Sequence, residues 1–160
     1  MKDKILEWFD EEKREYEEME HDKLNWFIRL KHGDRTVLLG NPIEFPMRLE
    51  IVYKLSVSKE HRGVIQNLDP NNRGGFEKAL VLILSDDCMI YNIQRDENNL
   101  PESIVIKKHL YEEDLTRTML FDGIQSLINI GLRATIHFQS LGGVPTSEKE
   151  MSSTGPSLYR

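Results

Sequence analysis

The sequence contains very little cysteine and no long apolar run. Cys88 is the single cysteine among 160 residues, which excludes an internal disulfide and favours a reducing compartment. No stretch approaches the roughly 18 apolar residues that a membrane-spanning helix needs. The first 22 residues are too acidic, and too short of apolar residues, for a signal peptide. These absences predict a cytoplasmic protein that has no membrane partner.

Positive charge is also scarce in one part of the chain. The net charge is −6, and residues 1–22 account for all of it, with ten acidic and four basic side chains. Nucleic-acid binding proteins usually carry a basic face, because phosphate contacts need Lys and Arg. The charge balance therefore predicts no nucleic-acid partner. The acidic segment is either a solvated helix face or a docking site for a basic partner.

Recognisable catalytic and ligand-binding motifs are missing as well. The five histidines never pair at the i, i+4 spacing of a helical zinc site. Asp69, Asn71 and Gly74 match part of a calcium loop, but Arg73 and Leu80 stand where oxygen ligands are required. We predict no catalytic, cofactor-binding or metal-binding residues. An enzyme whose residues meet only in three dimensions stays open, with these candidates: His61, Arg62, Asp69, Arg73 and His109.

The clearest pattern in the chain is a strand across residues 45–57. Every odd position in this range is apolar, and Val52 is the only aliphatic residue at an even position. A helix would mix these two sets, because its period is 3.6 residues rather than 2. One covered face and one wet face are typical of an antiparallel sheet. The covered face needs helices packed against it.

The remaining segments complete an α+β fold. The spacing predicts helices over 3–19, 76–85 and 115–138, and a short helix or turn over 59–69. It predicts further strands over 24–31, 36–39, 89–93 and 103–110, and a loop over 69–75. The expected architecture is an antiparallel sheet of roughly five strands with helices on one face, in the order α-βββ-α(α)-ββ-α. Residues 1–143 form one domain, and the Ser-, Thr-, Pro- and Gly-rich residues 144–160 form a disordered tail.

Four segments of the chain resemble an uncharacterised, mainly archaeal, family of unknown function. They are ILEWFDEE, LNWFIRLK, FPMRLEIVYKLSVS and LPESIVIKKHLYEEDLTRTMLFDGI, and the resemblance covers residues 3–138. The order of elements is also similar to that of type III secretion chaperones, in which helices pack on a twisted antiparallel sheet. The chaperone likeness implies a dimer. Neither resemblance implies an activity, a cofactor or a catalytic residue.

These observations favour a non-catalytic protein-interaction or chaperone-like module, with a protein partner or a second copy of itself. Apolar residues on otherwise polar faces mark the predicted interface: Phe27, Val52 and Trp8. Ile90 and Val105 join Phe27 and Val52 if their strands align on the same face. A nucleic-acid surface is the competing use of that face, through Arg29, Lys31, Arg48 and Lys54.

Overall fold

A computed structural model describes residues 1–85 and 89–142. Within these ranges the chain forms four helices and six strands. The helices are α1 (Lys2–Glu11), α2 (Lys59–Gln66), α3 (Pro70–Leu84) and α4 (Arg117–Gln139). The strands are β1 (Tyr16–Met19), β2 (Leu24–His32), β3 (Arg35–Pro42), β4 (Arg48–Ser56), β5 (Ile90–Arg95) and β6 (Pro101–Tyr111).

The six strands form one open antiparallel sheet in the order β1-β2-β3-β4-β6-β5. All four helices lie on one side of this sheet, so the α+β prediction is confirmed. Helices on one face leave the other face without cover from secondary structure, and we call that second face the open face. No helix among the described residues has the length and apolar character that a membrane span requires.

The core lies between α4 and the central strand β4. Leu49, Ile51, Tyr53 and Leu55 point toward the helices and are buried, as the alternation of residues 45–57 predicts. Gly131 of α4 lies directly against Tyr53, and a Cβ atom at this glycine would be 2.2 Å from Cε1 of the tyrosine ring. The absence of a side chain therefore allows α4 to approach the sheet closely.

The prediction of a helix over 3–19 is wrong in its second half. Helix α1 ends at Glu11, and Lys13 then adopts a positive φ of 52°, which reverses the chain. Residues Tyr16–Met19 become β1, which pairs with β2 in the register Tyr16 to Leu30. The sheet consequently has six strands rather than five. In the sequence, the end of the helix is marked by the interruption of the apolar stripe at Glu12 and Lys13.

The loop predicted over 69–75 is instead the first two turns of α3. The carboxylate of Asp69 accepts hydrogen bonds from the backbone N–H groups of Asn71 and Asn72, at 3.0 and 3.1 Å. Pro70 occupies the first helical position, where its missing N–H costs nothing. The same Asp69 that begins a partial calcium pattern is therefore a helix cap.

The strand predicted over 45–57 is shorter than its apolar alternation. Strand β4 begins at Arg48, so Phe45 and Met47 lie in the connection from β3 and are exposed. The predictions for Cys88 and for the tail over 144–160 fall outside the described residues.

The Gly131–Tyr53 contact makes a direct stability prediction. We expect Gly131→Ala to lower the free energy of unfolding by about 1–2 kcal/mol, because overpacking a core costs about 1–3 kcal/mol and outweighs the helix propensity gained. Urea denaturation followed by circular dichroism measures the change. Gly75→Ala in α3 is the matched control, since no atom lies within 4 Å of the new Cβ, and it should stabilise by about 0.5–1 kcal/mol. Equal stabilisation by both substitutions would contradict the packing described.

Candidate interaction surface

Three of the four apolar residues predicted on the open face of the sheet are buried there. Phe27, Val52 and Val105 all point to this face, yet each is at most 4% exposed. The cross-strand neighbours of Val52 are Leu38 and Lys107, and Lys side chains cover apolar surface with their methylene stems. Phe27 is flanked by Met19 and by the ring of His21. These residues form a small second core rather than a free surface.

The predicted interface residues are therefore not brought together as one exposed patch. Trp8 lies on α1, on the helix side of the sheet, where it is partly buried and Lys4 stacks over its ring at 5.0 Å. Ile90 aligns with Lys107 and Val52 across β6, which confirms that its strand continues the open face. Of the apolar residues predicted on this face, Ile90 is the one that is half exposed.

The centre of the open face is a buried carboxylate surrounded by cations. Glu50 is only 5% exposed, and its Oε1 accepts a hydrogen bond from Arg48 at 2.7 Å. Nε2 of His109 lies 3.4 Å from Oε1, and Nζ of Lys107 lies 3.8 Å from Oε2. The hydrogen bond with His109 and the charges of Lys107 and Arg48 lower the pKa of Glu50, against the opposing effect of burial. Glu50 is therefore ionised at neutral pH.

The cations of the open face are largely neutralised by acids on the same face. Three of the four proposed nucleic-acid contacts are in ion pairs: Arg29 with Glu17, Lys31 with Glu15, and Arg48 with Glu50. The fourth, Lys54, lies opposite Val105. A surface that binds phosphates needs cations that are available to the ligand. The arrangement is instead that of a self-neutralised sheet face.

Four of the exposed apolar residues lie in two joined segments at one end of the sheet. Ile43, Phe45 and Met47 in the β3–β4 connection and Tyr111 at the end of β6 are each 49–57% exposed. The backbone N–H of Glu112 donates to the carbonyl of Met47 at 2.9 Å, which joins the two segments. We call these four residues, Ile43, Phe45, Met47 and Tyr111, the end patch.

Arg48 links the end patch to the charged cluster. Its guanidinium lies 3.9 Å from the centre of the Phe45 ring, and its cross-strand partner on the open face is Tyr111. A cation over an aromatic face is attracted to the ring and limits its motion. Phe45 is thereby held in place while about half of it stays exposed, which is typical of a side chain positioned for contact.

The five residues considered for a three-dimensional active site do not converge. His61 is fully buried, with Nδ1 2.8 Å from the Ser58 hydroxyl, whereas His109 lies on the open face. Arg62 pairs with Asp96 at 3.1 Å. Asp69 caps α3, and Arg73 contacts Glu77 and the carbonyl of Asn99. Arg62 and Arg73 therefore both reach the β5–β6 turn, each with a partner already bound.

No cluster of three or more His, Cys, Asp or Glu side chains suited to a metal ion occurs within residues 1–85 and 89–142. The sequence pattern hides the end patch, because Phe45 and Met47 continue the alternation of the buried strand and Pro46 falls at one of its even positions. A proline followed by a change of side-chain exposure marks the start of pairing, since proline cannot donate to a sheet. That signal would have placed the start of the strand at Arg48 rather than at Phe45.

Comparisons with known proteins identify the fold. A family model described as an uncharacterized conserved protein (DUF2299) matches residues 1–138. An uncharacterized protein from Methanothermobacter thermautotrophicus superposes with a TM-score of 0.80 at 20% identity, over 86% of this chain and 96% of that one. YbjN, a putative transcription regulator from E. coli, superposes with a TM-score of 0.53 at 13% identity, over 86% of this chain and 93% of that one. A search of curated protein sequences finds no match.

Both solved structures are similar to this chain in fold alone, because identities this low do not carry function. The predicted resemblance to an uncharacterised family with archaeal members is confirmed. The likeness to secretion chaperones is not tested by these comparisons and stays a prediction.

The Glu50 cluster generates a pH-dependent prediction. The folded pKa of Glu50 lies below its ordinary value of 4.5, so its stabilisation is complete above that value and is lost as the pH falls through the folded pKa. We expect Glu50→Gln to lower the free energy of unfolding by about 1.5–3 kcal/mol at neutral pH, the typical loss of a charged hydrogen bond. The deficit should shrink as the pH falls below 4.5, which chemical denaturation at several pH values measures.

Glu17→Gln is the matched control for this measurement. Glu17 lies on the same face and pairs with Arg29, but both side chains are exposed. Exposed ion pairs contribute about 0–1 kcal/mol, so this variant should stay close to the parent protein. A pH-independent deficit in Glu50→Gln would mean that the carboxylate charge is not what stabilises the sheet.

Proposed function

The chain belongs to the DUF2299 family of uncharacterized conserved proteins, and we propose that it is a non-catalytic protein-interaction module that forms a homodimer. The observation that carries this proposal is the end patch. Four large apolar side chains, each about half exposed, lie together at one end of the sheet. Contiguous exposed apolar surface is uncommon on monomeric proteins and is typical of binding sites.

A second copy of the chain suits the charges around the end patch. Exposed Glu44 lies between Ile43 and Phe45, and exposed Lys23 accepts a hydrogen bond at its carbonyl from the backbone N–H of Ile43, at 3.1 Å. In a two-fold dimer the same patch meets itself, so each acid must face a base of the other copy. A patch with an apolar centre and both signs of charge at its edge fulfils this requirement.

YbjN is described as a putative transcription regulator, and the same fold could serve that role here. The charge distribution gives this function less support. Arg29, Lys31 and Arg48 are neutralised by neighbouring acids, so the open face offers DNA few available cations. A small-molecule enzyme has less support still, because His109 lies on the open face whereas His61 and Arg62 lie on α2, on the helix side of the sheet.

The end patch can be tested by measuring the mass of the protein in solution. We expect the parent protein to form dimers as its concentration rises in analytical ultracentrifugation. We expect Phe45→Ser combined with Met47→Ser to weaken dimerisation by at least about tenfold, because truncating central apolar contacts typically costs more than 1 kcal/mol of binding free energy. Circular dichroism establishes that the variant is folded.

Leu82→Ser is the matched control for nonspecific association through exposed apolar residues. Leu82 is an equally apolar and exposed residue, but it lies on α3, on the helix side of the sheet. Its substitution should leave the dissociation constant of the dimer unchanged. A parent protein that stays monomeric at every concentration would refute the homodimer, as would a dimer that survives the paired substitution.

A further inference from the structure

A partly enclosed cavity of about 240 Å³ lies where the α1–β1 connection, β2 and α4 meet. It is on the helix side of the sheet and is separate from the end patch. Its apolar wall consists of Leu30, Phe121 and Ile124. Its polar groups come from Arg14, His32, Asp122 and Gln125. The volume corresponds to about eight water-sized groups, so a small organic molecule would fill it.

Arg14 gives this cavity its chemical character. Its guanidinium lies over the ring of Phe121, 5.7 Å from the ring centre, which holds the side chain against the apolar wall. Arg14 is one of the residues that line the cavity. A ligand carboxylate can accept two parallel hydrogen bonds from a guanidinium, which makes Arg14 the natural partner for an acid in this cavity.

The remaining polar groups narrow the class of ligand. Burial, together with the charges of Arg14 and Arg35, lowers the pKa of His32, so its ring is neutral at neutral pH and offers one donor and one acceptor. The carboxylate of Asp122 lines the same cavity and repels negative charge, so a ligand carboxylate must lie against Arg14 and away from Asp122. The apolar wall favours a hydrocarbon or aromatic body.

We propose that this cavity binds a small organic monocarboxylate, with the carboxylate on Arg14 and the apolar body against Leu30, Phe121 and Ile124. Asp122 disfavours any further negative charge in the cavity, and neutral analogues gain no charge-assisted hydrogen bond from Arg14. This site goes beyond the proposed dimer and does not depend on it, because the two surfaces share no residue.

The test is an NMR titration of the full-length protein with sodium benzoate, read at the ring of His32 and at backbone amides of residues around Phe121. We expect a saturable shift with a dissociation constant of roughly a millimolar, as suits a ligand of this size. Benzamide, the neutral analogue, should bind at least about tenfold more weakly because it loses the charge-assisted pair. Inorganic phosphate, which carries a second charge at neutral pH, should bind weakly as well.

Three arginine variants complete the design, two at Arg14 and one control at Arg73. Arg14→Gln should weaken benzoate binding by at least about tenfold, and Arg14→Lys should restore part of it, because Lys keeps the charge but not the planar fork. Arg73→Gln, a remote arginine on α3, should change nothing. The comparison of benzoate with benzamide needs no variant, so the test survives if Arg14→Gln does not fold. Absence of a saturable shift, or equal binding of benzoate and benzamide or phosphate, would overturn the proposal.

Discussion

The packing of α4 on the centre of β4 is the contact on which the rest of the structure depends. Gly131 allows the helix to lie against the ring of Tyr53, and the buried residues on either side of that ring fill the space between helix and sheet. Because β4 pairs with both β3 and β6, fixing it fixes the middle of the sheet. The other helices then cover the apolar surface that α4 leaves exposed. Helix α1 packs Phe9 against Phe121, and α3 packs Phe76 against Phe138.

The two faces of the sheet are stabilised by different forces. The helix side is a conventional apolar core, whereas the open face buries Glu50 beneath cations that also shield Val52. A buried charge is tolerated only when it is paired and hydrogen-bonded, and here the neighbours of Glu50 supply that pairing. This explains why the open face can stay in contact with water while Phe27, Val52 and Val105 remain buried, and why binding is better sought at the end of the sheet.

The sequence predicts the α+β class, the covered side of β4 and the long final helix, because side-chain periodicity reports directly on burial. It fails where local chemistry overrides periodicity. Lys13 adopts a positive φ that no apolar pattern predicts, and Asp69 caps a helix that its loop-like neighbours conceal. The candidate site is less predictable still. Phe45 and Met47 look like core residues in a one-dimensional pattern, and the contact of Arg14 with Phe121 arises only when the α1–β1 connection packs against α4.

The outermost strand, β1, has a further effect on how the protein behaves in a crowded solution. It is four residues long, and its middle residues, Glu17 and Glu18, are already engaged by Arg29 and Lys2. Short, charged margins discourage a neighbouring molecule from adding its own strand. The opposite margin, β5, is longer and carries half-exposed Ile90. Fibrillar growth by strand addition would therefore start at β5. At the other edge of the sheet, the negative charge of the first 22 residues disfavours strand addition to β1.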